Sequence, residues 1–229
     1  MEEVLRATDP LQAGWVALLM LVLVALLGWI NLVSPKKWRL LGGSLFAVRL
    51  GRQTMRDELD LQDRTLVVLL LMAAGSIALF LHQFTVAVLG SPTGWPHWVR
   101  WFGMVAGVMV LQVLAARVTT VLVRADTGLS EQLYTNLLLH IDLGIALLPF
   151  TAVAAWPHHL AWRTPVLWAA LVLTALFTAW RWLRAAAIGL GEGVPLRYIF
   201  IYLCTLEFLP ASILGQRLLR SIALDPSTP

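Results

Sequence analysis

The chain has few charged residues and almost no cysteine. Only 13% of its 229 residues are charged, whereas soluble domains average about 25%. Its single cysteine, Cys204, excludes an internal disulfide and any zinc motif built on paired cysteines. The shortage of charge, a hydrophobic content of 59% and a mean hydropathy of +0.77 together indicate an integral membrane protein.

Signatures of catalysis and of nucleic-acid binding are missing as well. The sequence contains no GxSxG, HExxH, Walker or dinucleotide-binding motif in a suitable context. We therefore predict no catalytic residue, no cofactor and no metal site from it. The net charge of +4 comes from basic residues near the ends of apolar segments, as expected when they set membrane topology. It does not come from a basic module with interleaved aromatics, so nucleic acid is not an expected partner.

Long apolar segments are the main feature of the sequence. Six of them are long enough to cross a bilayer. Because backbone polar groups in lipid must be paired within a segment, each is expected to form a helix. The sequence thus predicts an all-α, polytopic protein in which residues 1–229 form one transmembrane domain. The six predicted spans are 11–33, 65–90, 98–123, 133–156, 164–184 and 196–220.

The distribution of lysine and arginine predicts the orientation. The longest connection, 34–64, carries seven basic residues, and such loops stay in the cytoplasm. Both termini are then expected on the opposite, outer face. Within the bundle, Gly103 and Gly107 form a GxxxG pattern that is expected to pack inside, against segment 65–90.

The 34–64 connection is also expected to form a cytoplasmic amphipathic segment. Its arginines Arg49, Arg52 and Arg56 recur at helical spacing on one stripe. Such a stripe is typical of a surface helix on anionic lipid. A site for a lipid headgroup or for another membrane protein is the second interpretation.

The acid Glu207 is the most unusual residue of the last apolar segment. A charge at bilayer depth costs roughly 3 kcal/mol on insertion scales, so it is rarely accidental. Pro210, three residues later, has no N–H for the carbonyl of Leu206 and is expected to kink the helix. Glu207 is therefore interpreted either as a proton or ion relay or as a neutral, hydrogen-bonded acid that fixes packing.

The segment 133–156 carries a second polar group. Asn136 and His140 are four residues apart and share one helix face, but this pair alone is a weak metal signal. Asp142 is on the opposite side, and Pro149 is expected to kink the helix. Arg117, on the preceding segment, is expected either to pair with Asp142 or Glu207 or to extend to the headgroups.

Three stretches of the chain resemble a known family. They are SPKKWRLLGGSLFAVRLGRQTMRDE, NLLLHIDLGIALLPF and RYIFIYLCTLEFLPASIL. Together they are similar to an uncharacterised integral-membrane family, domain of unknown function 4271, chiefly of Bacteroidota. The resemblance implies a protein of the bacterial inner membrane with several helices and no established activity. With the predicted orientation, both termini would be periplasmic. The resemblance to the family also singles out Gln53 and Gly144, without giving either residue a role.

Three functions are compatible with these features. The first is a non-enzymatic component of an envelope assembly, secretion or lipid-handling system, with the bilayer, anionic headgroups and other membrane proteins as partners. The second is a proton-coupled small carrier that uses Glu207. The third is a membrane-embedded enzyme acting on lipid or on a hydrophobic cofactor. Access of water to Glu207 would discriminate between them, because a carrier needs a polar path to it.

Overall fold

The computed structural model is helical in the residues that it describes, which are 9–35, 38, 41–42, 64–91, 93–123, 129–157, 159–191, 212 and 216. For residues 10, 115–123, 129–134 and 160 it describes the backbone alone. The described part contains five long helices, α1 (Gly14–Val33), α2 (Arg64–Leu89), α3 (Trp95–Val123), α4 (Leu129–Ala155) and α5 (Arg163–Gly191).

All five helices are long and apolar enough to cross a membrane. They coincide with the first five predicted segments to within a few residues, except that α5 continues seven residues beyond position 184. Most of the sixth predicted segment, 196–220, and most of the 34–64 connection lie outside the described residues; in the sixth segment the structure describes residues 212 and 216 alone. The structure therefore supports a helical membrane protein with at least five spans.

Helices α2 and α4 form the centre of the bundle. In the most apolar window of α2, 72% of the residues are buried, and in that of α4, 61%, against 11% for α5. Two side chains of α2 donate hydrogen bonds to carbonyls of α4: Ser76 to Gly144 (2.7 Å) and Gln83 to Thr151 (3.0 Å). Both bonds join residues 68 positions apart, so the two helices run parallel.

Helices α2 and α4 are in close backbone contact at Gly144. A Cβ atom built there would lie 2.5 Å from the Cα and 2.8 Å from the Cβ of Ala73. Real Cβ atoms do not come so close, and a small residue is therefore required at this crossing. The absence of a side chain at Gly144 also leaves its carbonyl within reach of the Ser76 hydroxyl.

Helix α3 presents a different face to the bundle from the one predicted. Gly103 and Gly107 are exposed, and a Cβ on either would meet nothing within 4 Å among the described atoms. The predicted packing of this glycine pair inside the bundle is therefore wrong for the described part of the chain. Trp101, Val105 and Met109 are buried instead, because bulky apolar side chains on that stripe fill the space beside α2.

An ion pair lies at one end of the bundle. We call this end the tryptophan end, because α3 begins there at Trp95. There Arg163, at the start of α5, pairs with Asp9 and donates from Nε to the carbonyl of Ala154 near the end of α4 (2.8 Å). Asp9 also accepts a hydrogen bond from the backbone N–H of Leu11. The segment before α1 is thereby attached to α4 and α5. The opposite end, where α2 begins, is called the Arg64 end.

Candidate functional site

A cavity of about 390 Å³ lies between α3 and α5, and we call it the cleft. Helices α2 and α4 form its floor with side chains such as Ile77 and Leu143, while Val108 of α3 and Phe177 of α5 stand on its two sides. Most of the lining is apolar. Its polar members are Gln112, His140, Thr174, Thr178 and Arg181.

A polar contact between helices in the cleft joins His140 of α4 to Arg181 of α5. The ring nitrogen Nδ1 of His140 lies 2.7 Å from the carbonyl oxygen of Asn136, and its Nε2 lies 2.9 Å from Nη1 of Arg181. A carbonyl only accepts, so Nδ1 must donate. A guanidinium only donates, so Nε2 must accept. The two contacts together fix a neutral imidazole with its proton on Nδ1.

Two threonines continue a row of polar side chains along α5, away from the contact between His140 and Arg181. Thr174, Thr178 and Arg181 follow one another at intervals of four and three residues, so they share one helix face. Each hydroxyl donates to a carbonyl of its own helix, Thr174 to Ala170 and Thr178 to Thr174, both at 2.8 Å. Each hydroxyl oxygen can still accept a hydrogen bond from a group in the cleft. Gln112 adds an amide from α3.

Arg181, the positively charged side chain that lines the cleft, lies far from the tryptophan end. Arg181 follows Arg163 by eighteen residues, which corresponds to about 27 Å along an α-helix. A hydrocarbon core is about 30 Å thick. If Arg163 marks one membrane surface, Arg181 is therefore close to the other, at the depth where lipid headgroups begin. The cleft thus combines apolar walls with a cation at one end, an arrangement that suits an amphipathic anion.

A second polar cluster lies at the tryptophan end. The ring of His82 is fully buried between Trp15 and His97, with ring centroids 5.2 Å apart in each contact. His97 accepts a hydrogen bond from the indole N–H of Trp101 (3.0 Å), since the indole nitrogen can only donate. His97 therefore carries its proton on Nδ1 when neutral. Its nitrogens are then unsuited to hold a metal without a rearrangement.

The structure describes some of the residues singled out from the sequence. Asn136 and His140 both take part in the contact in the cleft. His140 contributes its ring, and Asn136 contributes its backbone carbonyl. Asp142 is buried, 6% exposed, and is not among the described residues that line the cleft. Pro149 lies inside α4 with its ring exposed. Groups of three or more histidine, cysteine or acidic side chains placed to hold a metal do not occur among the described residues.

Other predicted residues lie outside the described part. Arg117 belongs to α3, but its side chain is not described. The following residues lie wholly outside: Arg49, Arg52, Arg56, Glu207 and Pro210.

Sequence reasoning recognised His140 but not its partner. Arg181 lies between two tryptophans, so the sequence alone indicates only a basic residue at a membrane surface, and nothing in the sequence sets Gln112 apart. The available signal was the polar stripe of Thr174, Thr178 and Arg181 in a segment otherwise rich in leucine, alanine and tryptophan. A polar stripe on a membrane helix faces the protein or a cavity more often than lipid.

Comparison with known proteins identifies a family but no function. A family model described as "Domain of unknown function (DUF4271)" matches residues 16–218, which is most of the chain. No curated protein and no solved structure gives a significant match.

Proposed function

The chain belongs to the DUF4271 family, and we propose that it is a non-enzymatic, lipid-handling component of a bacterial inner membrane. In this proposal the cleft between α3 and α5 holds an anionic amphiphile. The apolar walls accept part of an acyl chain, and Arg181 attracts the phosphate or carboxylate of the headgroup. The observation that carries the proposal is the position of the Arg181–His140 contact at the polar end of an apolar cavity.

The chemistry of Arg181 supports an anionic ligand. A guanidinium stays charged at all relevant pH values and presents donors in a planar fork that matches carboxylate and phosphate oxygens. His140 accepts from Nη1 alone, and this bond restricts the rotation of the guanidinium without adding a negative charge. His140 is therefore a positioning residue for the arginine.

The dimensions of the cleft also suit part of a lipid. Its volume of about 390 Å³ lies at the lower end of the range of roughly 300–1,000 Å³ found for ligand pockets. Along α5 the lining runs from Leu171 to Arg181, about 15 Å at the helical rise. Half of a bilayer core has the same depth, so a chain from one leaflet can follow the cleft from the headgroup inward.

Lipid retention tests this proposal. The purified protein is exchanged into mixed micelles of phosphatidylglycerol and phosphatidylcholine, and retained lipids are counted by native mass spectrometry. Arg181→Gln is expected to weaken phosphatidylglycerol retention about tenfold or more, because a charged hydrogen bond contributes roughly 1.5–3 kcal/mol. Arg100→Gln, which removes an exposed arginine at the tryptophan end, is the matched control and should retain lipid normally.

A second variant separates the chain-binding wall from the headgroup contact. Val108→Phe adds bulk to the α3 side of the cleft and leaves Arg181 in place. It should lower retention of phosphatidylglycerol with long acyl chains more than that of a short-chain analogue. Wild-type retention in both Arg181→Gln and Val108→Phe would contradict a lipid site in the cleft.

The basic connection offers a further contact with the same class of ligand. Arg49, Arg52 and Arg56 lie outside the described residues, and their role remains a proposal supported by their helical spacing. Changing all three to glutamine should weaken association with anionic vesicles in a salt-dependent way. Unchanged association would leave these arginines only a topogenic role.

A proton-coupled carrier is the second candidate. The observation that favours it is the gathering of Gln112, His140 and Arg181 in one cavity of a membrane bundle. A carrier requires Glu207 to exchange protons during transport. Proteoliposomes with an internal pH dye should then show substrate-driven acidification that Glu207→Gln abolishes, whereas lipid retention alone would not require Glu207 to ionise.

A further inference from the structure

Two threonines of α5 line the cleft on the side of Arg181 that faces the tryptophan end. Thr178 precedes Arg181 by three residues and Thr174 precedes it by seven, which corresponds to about 4.5 Å and about 10 Å along the helix. Both side chains line the same cavity as Arg181. A ligand whose anionic group binds Arg181 would therefore place the first part of its chain beside these hydroxyls.

The hydroxyl hydrogens of both threonines are already used within α5. Thr174 donates to the carbonyl of Ala170, and Thr178 donates to the carbonyl of Thr174, each at 2.8 Å. A hydroxyl has one hydrogen and two lone pairs, so with these bonds in place each oxygen offers the cleft an acceptor and no donor. The two threonines can therefore recognise a group that donates a hydrogen bond, but not a group that only accepts one.

This acceptor-only character discriminates between classes of amphiphile. The ester linkages below the headgroup of a diacyl phospholipid carry acceptor oxygens and no donor. A hydroxylated acyl chain has an O–H near its anionic end, and an amide-linked chain has an N–H there. Acceptors in a mostly apolar wall suit chains with such a donor, because a donor that leaves water needs a new acceptor to avoid a desolvation cost.

We propose that Thr174 and Thr178 are specificity-determining residues of the cleft. The ligand is then an anionic amphiphile whose chain carries a hydrogen-bond donor, a hydroxyl or an amide N–H, within about 10 Å of its anionic group. This inference rests on the proposed function, because it requires an amphiphile in the cleft. It goes further by naming the class of chain, since an ester-linked phospholipid would bind through Arg181 and the apolar walls alone.

The preference for a donor does not depend on the other contacts of Arg181. This arginine is bonded to His140 and has a further interaction. Two probes with the same carboxylate meet the same guanidinium in the same surroundings, so its contribution cancels in the ratio of their affinities. The ratio therefore reports on the part of the chain that lies beside the threonines.

Matched pairs of single-chain probes test the proposal on the full-length protein in detergent. N-myristoylglycine is compared with O-myristoylglycolate, in which an ester oxygen replaces the amide N–H, and β-hydroxymyristate is compared with myristate. Retention of each probe is counted by native mass spectrometry over a range of probe concentrations. In at least one pair the donor-bearing probe should bind about two- to tenfold more tightly, the range for one neutral hydrogen bond. The pair with the larger ratio identifies whether the donor is an amide or a hydroxyl.

Substitutions assign this preference to the threonines. Thr174→Val and Thr178→Val together keep the side-chain shape but remove both acceptors, so the ratio should fall to about one. Thr174→Ser and Thr178→Ser together keep the hydroxyls and should keep the preference. Thr164→Val, at an exposed position near the tryptophan end, is the matched control and should leave the ratio unchanged.

The outcomes separate this inference from the proposed function. A ratio near one for both pairs in the wild-type protein would overturn the inference without recourse to any variant, and so would a preference that survives in the double valine variant. If phosphatidylglycerol retention depends on Arg181 while both ratios are near one, the lipid site stands and the class of ligand named here is wrong. If neither the probes nor phosphatidylglycerol are retained, both proposals fail.

Discussion

The contact between Gly144 and Ala73 leads to a quantitative prediction for Gly144→Ala. The added Cβ would lie 2.5 Å from the Cα of Ala73, on the backbone of α2, which cannot rotate away. The two central helices must then separate. Separation also weakens the hydrogen bond from Ser76 to the carbonyl of Gly144.

The expected loss follows from these two effects. Overpacking a well-packed contact costs about 1–3 kcal/mol, and an interhelical hydrogen bond in a membrane contributes about 0.6–2 kcal/mol. Alanine recovers up to about 1 kcal/mol through its higher helix propensity. We therefore expect Gly144→Ala to lower the free energy of unfolding by about 2–3 kcal/mol.

Unfolding by sodium dodecyl sulfate measures this change. The eleven tryptophans of the chain provide the fluorescence signal, and the protein is titrated from mild detergent into increasing mole fractions of dodecyl sulfate. The matched controls are Gly103→Ala and Gly107→Ala, where an added Cβ meets nothing within 4 Å. Both controls should be neutral or slightly stabilising.

A compensating substitution makes the test more stringent. Ala73→Gly removes the methyl group that would lie 2.8 Å from the new Cβ, but it leaves the Cα at 2.5 Å. It should therefore restore only a minor part of the stability lost in Gly144→Ala. If Gly144→Ala unfolds at the same dodecyl sulfate fraction as Gly103→Ala, the close helix crossing is wrong.

Two further predictions concern the ends of the bundle. Asp9→Asn and Arg163→Gln should each lower stability by about 1–3 kcal/mol, because the partner left behind is largely buried. The double variant should lose less than the sum, and additivity in the same titration would argue against the ion pair. For the orientation, cysteines introduced at Gln53 and His159 on a Cys204→Ala background should differ in labelling by an impermeant maleimide on whole cells. His159→Cys should react and Gln53→Cys should react only after lysis, and the reverse order would invert the predicted topology.

The five spans could be predicted because length and apolarity alone decide them. A run such as 65–90 contains no Asp, Glu, Lys or Arg, and in a bilayer it can satisfy its backbone only as a helix. Which helix lies at the centre is a different question. Helix α1 has the highest mean hydropathy of the five helices, 2.7, yet only 22% of its most apolar window is buried. A helix facing lipid needs apolar residues as much as a core helix does, so hydropathy does not separate the two.

The small residues show the same difficulty in detail. Gly103 and Gly107 match a packing motif but are exposed, whereas Gly144 matches no GxxxG pattern and leaves no room for a Cβ atom against α2. The feature that distinguishes Gly144 lies on the opposing helix. Ala73, Ala74 and Ser76 give one stretch of α2 only small side chains. Small residues on one helix become informative only when the opposing helix is known.

The candidate site could be predicted in part. His140 is conspicuous because it is a titratable group in an apolar segment, and the sequence also places Asn136 one turn before it. Arg181 is 41 residues away from His140 and lies between Trp180 and Trp182, a context that equally suits an arginine at a membrane surface. Only the packing of α5 on α4 brings the two side chains together.

The polar groups of the central helices differ from those of the outer helix α5 in what they contact. On α2 and α4, Ser76 and Gln83 bond across the helix pair, and their geometry is fixed by a backbone contact at Gly144. These bonds join α2 to α4, and side chains of both helices form the floor of the cleft. The cation and the threonines belong instead to α5, whose most apolar window is only 11% buried. In the proposed lipid site, substitutions on the cleft face of α5 are therefore expected to change ligand binding with little loss of packing, whereas the same changes on α2 or α4 would first disrupt the bundle.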